Sequence, residues 1–263
     1  MKKSVYIILV FLGVQILAGI VAPIVLNFSA FTAHEPATVT LEESPIVMSL
    51  TLLATNVLTP LVLYAWQLFP TSSLPHRDKG IAWSILFFIS SLFLTTLISD
   101  CFPLKDSLAG TFGQMRKLPI GILTLGLVGP VCEELVFRRA LLGNLLDEKR
   151  LPRYAAIVLS AAVFSIIHMN PAQMLPAFLL GLALALVYVC TGRLWICIGL
   201  HILNNCLSLL LMESCPDFNI YQVLTSPLLL ISAIVLGLAA TAVFLIMLLR
   251  TTNAASQSPI HEK

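Results

Sequence analysis

The chain has 263 residues, 58% of them hydrophobic and only 11% charged, whereas an average soluble domain carries about 25% charged residues. With a mean hydropathy of +0.96, this apolar excess is too large to hide in one water-soluble core, and it falls in long runs, the mark of membrane spans. A net charge of +2, with no basic cluster interleaved with aromatics, argues against a nucleic-acid partner.

In chain order, eight stretches read as spanning helices: 4–28, 45–69, 81–98, 118–146, 152–168, 171–190, 193–212 and 223–249. Each is near or above the roughly 17–25 residues that cross a bilayer, the fifth being the shortest. Met1-Lys2-Lys3 followed by an apolar run has the look of a signal peptide, yet the run continues to Phe28, beyond an h-region of about 7–15 residues. An uncleaved first span is therefore expected. If the spans alternate, Lys2, Lys3, Arg77, Lys79, Lys149, Arg150, Arg153, Arg193 and Arg250 fall on one side. The other side holds Lys105, Arg116 and Lys117, with the acids Glu35, Glu42, Glu43, Glu213 and Asp217. That asymmetry places both termini in the cytoplasm. The fold class is thus an all-α, polytopic transmembrane bundle of about eight spans. It divides into a region of three spans (1–117), a core of four (118–212), and a last span with a polar, disordered cytoplasmic tail after Arg250 (213–263). Six cysteines show no CxxC spacing, which argues against structural zinc. Cys101 and Cys215 fall in outward loops, where an oxidising compartment would allow them to pair.

Ionisable residues at membrane depth are costly and mark function. The fourth stretch contains Gly129-Pro130-Val131-Cys132-Glu133-Glu134-Leu135-Val136-Phe137-Arg138. Glu134 and Arg138 are four apart and share a helix face, so they can pair. Glu133 is turned by about 100° and faces elsewhere. Pro130 cannot donate to the Gly126 carbonyl, so free backbone acceptors are expected just before the acidic pair. Phe164 and His168 share a face in the fifth stretch, and His201 and Asn205 in the seventh. Counted at about 1.5 Å per residue from the basic side, Glu133, His168, His201 and Asn205 lie about 20, 24, 12 and 18 Å in. They can therefore share one layer of a bundle. Each group alone has a plain structural reading, as a snorkelling helix end or an interhelical hydrogen bond; together they point to a common site.

The ordered set Glu133-Glu134-x-x-x-Arg138, Phe164-x-x-x-His168 and His201-x-x-x-Asn205 resembles the CAAX-protease and bacteriocin-processing family of membrane endopeptidases, type II CAAX prenyl endopeptidases included. The resemblance covers about 118–212 and leaves the first three spans and the last without a motif. It implies a helical bundle with its site inside the membrane. Family members cleave prenylated proteins near their C-terminus, and in bacteria they are linked to peptide processing, bacteriocin immunity or surface-protein control. Some act as scaffolds without proteolysis.

Peptide hydrolysis needs an activated water, a site for the oxyanion and a proton for the leaving amine. Glu133 is the candidate general base, strengthened by partial burial. Glu134, paired with Arg138, holds the helix orientation. His168 can position the same water. His201 and Asn205 can donate to the oxyanion, each such donor being worth about 3–4 kcal/mol, and Phe164 packs. A zinc ion on Glu133, His168 and His201 is the alternative mechanism, although the His-Glu-x-x-His spacing is absent. Glutamate catalysis without a cofactor is favoured, and Cys132 is disfavoured as a nucleophile. The expected partners are membrane lipid and a peptide or lipidated protein substrate, and the expected location is a bacterial inner membrane. Two rival readings are a non-catalytic immunity or scaffold protein of the same fold and a proton-coupled transporter, although no matching broken helix supports the second.

Overall fold

The computed structural model describes residues 2–28, 32, 44–102, 104–215 and 218–257. Among them all regular structure is helical. Five elements run close to the expected spans: α1 (Lys2–Leu26), α2 (Pro45–Ala65), α3 (Ile81–Cys101), α7 (Pro171–Thr191) and α8 (Leu194–Ser214). The fourth span is α5, an unbroken helical rod over Pro119–Asp147, preceded by the short α4 (Ala109–Met115). A four-residue turn, α9 (Ile220–Val223), precedes α10 (Pro227–Gln257). Seven helices among the described residues have the length and apolarity to cross a membrane.

The fifth expected span is shorter than its sequence suggests. Here α6 covers Arg153–Ile166, 14 residues or about 21 Å, against a hydrocarbon core of about 30 Å. The cause is local. Pro171 opens α7 and forces Asn170 into an extended conformation (φ −130°, ψ 111°). Met169 takes a left-handed φ of +50°, and the His168 N–H bonds back to the Ser165 carbonyl at 3.2 Å. His168 therefore sits in a tight turn rather than in the helix.

Polar contacts sort the helix ends into two groups. At one end Lys3 donates to the Gln67 carbonyl, and Arg139 to the carbonyls of Pro70 and Ser72. The Arg77 N–H donates to Thr191 O and its guanidinium to Thr252 O, while Arg193 pairs with Asp78. At the other end Arg116 meets Met212 O and Glu213, Asn170 meets Asp106, and Asp100 accepts from the Ile220 N–H. Lys3 and Thr252 thus lie at the same, basic end. The connection into α8 there needs Gly192, whose φ is +67° and whose hydrogen faces the Pro75 carbonyl; a Cβ would stand 2.4 Å from that oxygen.

The packed centre is made by α5, α6 and α7, with Phe137, Leu141, Leu142, Phe164, Leu184 and Val187 nearly inaccessible. The first span joins this core through Phe11, whose ring meets Phe137 edge-on at 5.6 Å. The outer faces of the helices present aliphatic side chains such as Leu9, Ile16, Leu61 and Leu236, an apolar girdle suited to lipid and not to water. Five exposed aromatics, Tyr6, Tyr64, Trp66, Tyr154 and Trp195, lie near the basic ends of their helices, where an interfacial belt belongs.

Some expectations change. The segment after Arg250 is not a loose tail from the start, because α10 runs on to Gln257. Cys101 and Cys215 are both free, and the Cys101 thiol contacts the Tyr221 hydroxyl. Glu35, Glu42, Glu43 and Asp217 lie outside the described residues.

Candidate active site

The site starts from a defect in α5. Over Thr124–Val128 the helix is wound as a π-helix, returns to α over Gly129–Glu134, and is π-wound again over Leu135–Leu142. Such wide turns recur at functional sites because they re-aim side chains. The first follows from Pro130, which has no N–H to give. The Gly129 N–H reaches back five residues to Thr124 O, which leaves the Leu125 and Gly126 carbonyls without their helical donors. Both are taken by α8. The Asn205 amide donates to Leu125 O at 2.9 Å, and the Cys206 thiol approaches Gly126 O at 3.6 Å.

Past this junction the two glutamates diverge. Glu134 is fully buried and Arg138 is 1% exposed; their Oε1 and Nη1 are 3.0 Å apart. The same Oε1 accepts from His201 Nδ1 at 2.8 Å. Arg138 also donates to the Gly181 carbonyl of α7 at 3.3 Å and lies over the Phe164 ring, 4.8 Å from its centroid. That ring meets His168 edge-on at 5.0 Å and His201 at 5.9 Å. Phe164, expected to pack, is therefore the apolar hub that the cation and both imidazoles share. Glu133 is one residue and about 100° away, and its side chain is 23% exposed. Its Oε2 stands 3.7 Å from His201 Nε2, so His201 lies between the two carboxylates. With Nδ1 donating to Glu134, Nε2 is the nitrogen that faces Glu133.

His168 bonds the Phe164 carbonyl through Nδ1 at 2.7 Å, which leaves Nε2 as its outward group. Asn205 lies one helical turn, about 6 Å, from His201 and is tied to Leu125 O. Its second amide proton is not committed to that bond. Sequence reasoning missed Asn56 of α2. It is 8% exposed. The space over Gly129 is bounded by its Nδ2 and by Glu133 Oε1; a Cβ there would stand 3.5 Å and 3.7 Å from them and 2.9 Å from Thr124 O. The signal was an amide in mid-span whose neighbours Thr55 and Thr59 satisfy themselves on their own helix.

Among the described residues, no three His, Cys, Asp or Glu side chains converge as a metal-binding set. Glu133 Oε2 and His201 Nε2 face each other at 3.7 Å, and His201 Nδ1 is held by Glu134, as the second nitrogen of a metal-binding histidine is; His168 does not complete a three-ligand set with them in these side-chain positions.

Arg138→Ala is expected to leave Glu134 buried without its cation and to lower stability by about 3–5 kcal/mol, read as loss of folded protein in a detergent unfolding titration. Arg138→Lys should recover part of that loss, because it restores the charge without the planar fork. Equal stability of Arg138→Ala and the parent would show that the pair does not hold the core.

Residues 115–207 match the family described as type II CAAX prenyl endopeptidase Rce1-like. The chain is 24% identical over 217 residues to YdiL of Bacillus subtilis (strain 168), a protein provisionally named a membrane peptidase; the match spans 78% of this chain and 86% of that one. It is 34% identical over 95 residues to the membrane-embedded CAAX protease MroQ of Staphylococcus aureus (strain USA300), spanning 34% of this chain and 38% of that one. No solved structure matches. The matched segment holds the acidic pair, Arg138, both imidazoles and Asn205, set among apolar helices. Residues 115–207 of this multi-pass integral protein of the bacterial cell membrane, about a third of its length, are thus similar to the Rce1-like type II CAAX prenyl endopeptidases.

Proposed function

We propose that the chain is an intramembrane endopeptidase in which Glu133 activates a water against a peptide carbonyl of a membrane-associated peptide or lipidated protein. The observation that carries this reading is the relay Arg138–Glu134–His201–Glu133, with a 3.7 Å gap between His201 Nε2 and the partly exposed Glu133 carboxylate. Two groups that face each other beyond hydrogen-bond distance, one of them partly exposed, leave room for a reacting molecule to bind both. Glu133 takes a proton from water as the oxygen attacks the carbonyl carbon. The C–N bond then breaks, and the proton passes to the leaving amine. Glu134 does for His201 what an orienting carboxylate does in a triad: it fixes the ring and stabilises positive charge on it. His201 then donates to the developing oxyanion when protonated, and Asn205 can add its second amide proton. His168, with Nδ1 anchored, offers Nε2 to the water. By the positive-inside rule, the basic end of the bundle faces the cytoplasm.

Glu133→Gln should abolish cleavage of a reporter peptide by purified protein, a fall of at least about 10³-fold, with unfolding unchanged. Near-parental rates in that variant would remove Glu133 from the chemistry. Chelators should leave most activity in place; a chelator-inactivated protein revived by zinc would require a metal-assisted step instead.

Asn205 has a backbone duty as well as its proposed role at the oxyanion, and the two separate experimentally. Asn205→Ala frees the Leu125 carbonyl, at about 1–3 kcal/mol. Adding Pro130→Ala gives α5 an extra N–H donor and should return much of that stability. If Asn205 also serves the oxyanion, kcat stays low in the double variant by roughly 10²-fold. Full recovery of kcat along with stability would confine Asn205 to the helix junction.

A further inference from the structure

Away from the candidate active site, the basic end of the bundle contains a cavity of about 310 Å³ between the C-terminal end of α5, the start of α6 and the end of α7, the size range of small-ligand sites. Its wall carries three cations, Arg139, Lys149 and Arg153, and one acid, Asp147. The acid is engaged: its carboxylate accepts from the Ser72 hydroxyl at 2.6 Å. Arg139 is fixed, its guanidinium donating to the carbonyls of Pro70 and Ser72, and buried Tyr188 lines the cavity beside it. Lys149 and Arg153 are different. Both are exposed, and among the described residues neither forms an ion pair with an acid. Lys149 sits at a left-handed φ of +50°, a conformation that glycine or asparagine takes at less cost. Two unpaired cations thus face a cavity with a preset polar floor.

The rest of the lining is aliphatic, with Leu74, Leu146 and Leu151. Arg153 is followed in α6 by Tyr154, one of the exposed aromatics that mark the interfacial level at this end. A phosphate bearing a hydrocarbon chain matches both parts of such a wall; a bare phosphate matches only one.

We propose that this cavity is a binding site for the phosphate of an anionic phospholipid headgroup, held by Lys149 and Arg153 over the Arg139–Tyr188 floor, with the leucines against the glycerol and first acyl carbons. The site stands apart from Glu133 and does not depend on the peptidase reading. Basic pockets between helices at the membrane surface are suited to this role, at about a factor of five per cation.

The test uses the full-length protein exchanged into mixed micelles of phosphatidylglycerol and phosphatidylcholine, with retained lipid counted by native mass spectrometry. The parent should retain phosphatidylglycerol preferentially, and Lys149→Gln with Arg153→Gln should cut that preference roughly twentyfold. Lys149→Arg with Arg153→Lys should keep it. Soluble glycerol phosphate is the competitor. If it fails to displace the lipid, the membrane is the source of the phosphate; if it displaces it at low millimolar levels, the same site takes a soluble phosphate ester. Equal retention of the two lipids by the parent, or an unchanged preference in the double Gln variant, overturns the site. Should the Gln variant fail to fold, the parent's thermal midpoint decides, because phosphatidylglycerol must raise it where phosphatidylcholine does not.

Discussion

A carboxylate and a guanidinium, both almost inaccessible, meet at 3.0 Å in the middle of the bundle. Taking either charge out of water alone costs several kcal/mol, so each is tolerable there only because of the other. Their geometry then dictates the neighbours. Arg138 needs more acceptors than one carboxylate supplies and finds Gly181 O on α7 and the face of Phe164 on α6. Glu134 needs a second donor and finds His201 on α8. One i,i+4 pair thereby ties α5 to three other helices. It does so without the hydrophobic driving force that assembles soluble bundles, since lipid is as apolar as the helices' own side chains. Buried polar atoms remain even so: Glu134 Oε2 and Arg138 Nε have no hydrogen-bond partner among the described residues. A cluster optimised for stability alone would have paired or replaced them.

The Pro130 junction is the second constraint and works in the opposite sense. The salt bridge satisfies charges, whereas the proline creates unsatisfied acceptors and so obliges α8 to present donors at a set height. Asn205 and Cys206 are consecutive residues, and they cover Leu125 O and Gly126 O, also consecutive. The register of α8 against α5 is thereby fixed on one side by Asn205 to Leu125 and on the other by His201 to Glu134, one turn apart on α8. The helix face bearing His201 and Asn205 cannot rotate without breaking both contacts. That is the rigidity expected where a side chain must be held to within a fraction of an ångström.

Much of this was legible in the sequence because helical spacing fixes which residues share a face. The pairing of Glu134 with Arg138, the pairing of Phe164 with His168 and the free acceptors before the acidic pair all follow from offsets of three to five along one helix. What stayed hidden needs the neighbour across the interface. Nothing local says that His201 contacts both glutamates, that the Asn205 amide closes on a backbone carbonyl, or that α2 brings Asn56 beside Glu133. The shortness of α6 was hidden for another reason. Phe164 through His168 continues the apolar pattern, and only Asn170-Pro171 with the left-handed Met169 ends the helix two residues early.

The adjacency of Glu133 and Glu134 also bears on why a site at membrane depth would use two acids in sequence. Consecutive helical residues point about 100° apart, so a single turn of α5 sends one carboxylate into the packed interior and the other to its partly exposed edge. The inner one spends its acceptor on Arg138 and His201. The outer one keeps its oxygens available, beside Gly129, where any larger residue would crowd the Thr124 carbonyl. His201 lies between them, bonded to Glu134 at 2.8 Å and facing Glu133 at 3.7 Å, and among the described residues no other titratable side chain is paired with both. In the proposed mechanism, a molecule bound in the 3.7 Å gap would carry a proton between the open carboxylate and the imidazole while the buried charge pair stays as it is. This is the arrangement that general acid–base chemistry requires in a medium where creating a new isolated charge would be prohibitive.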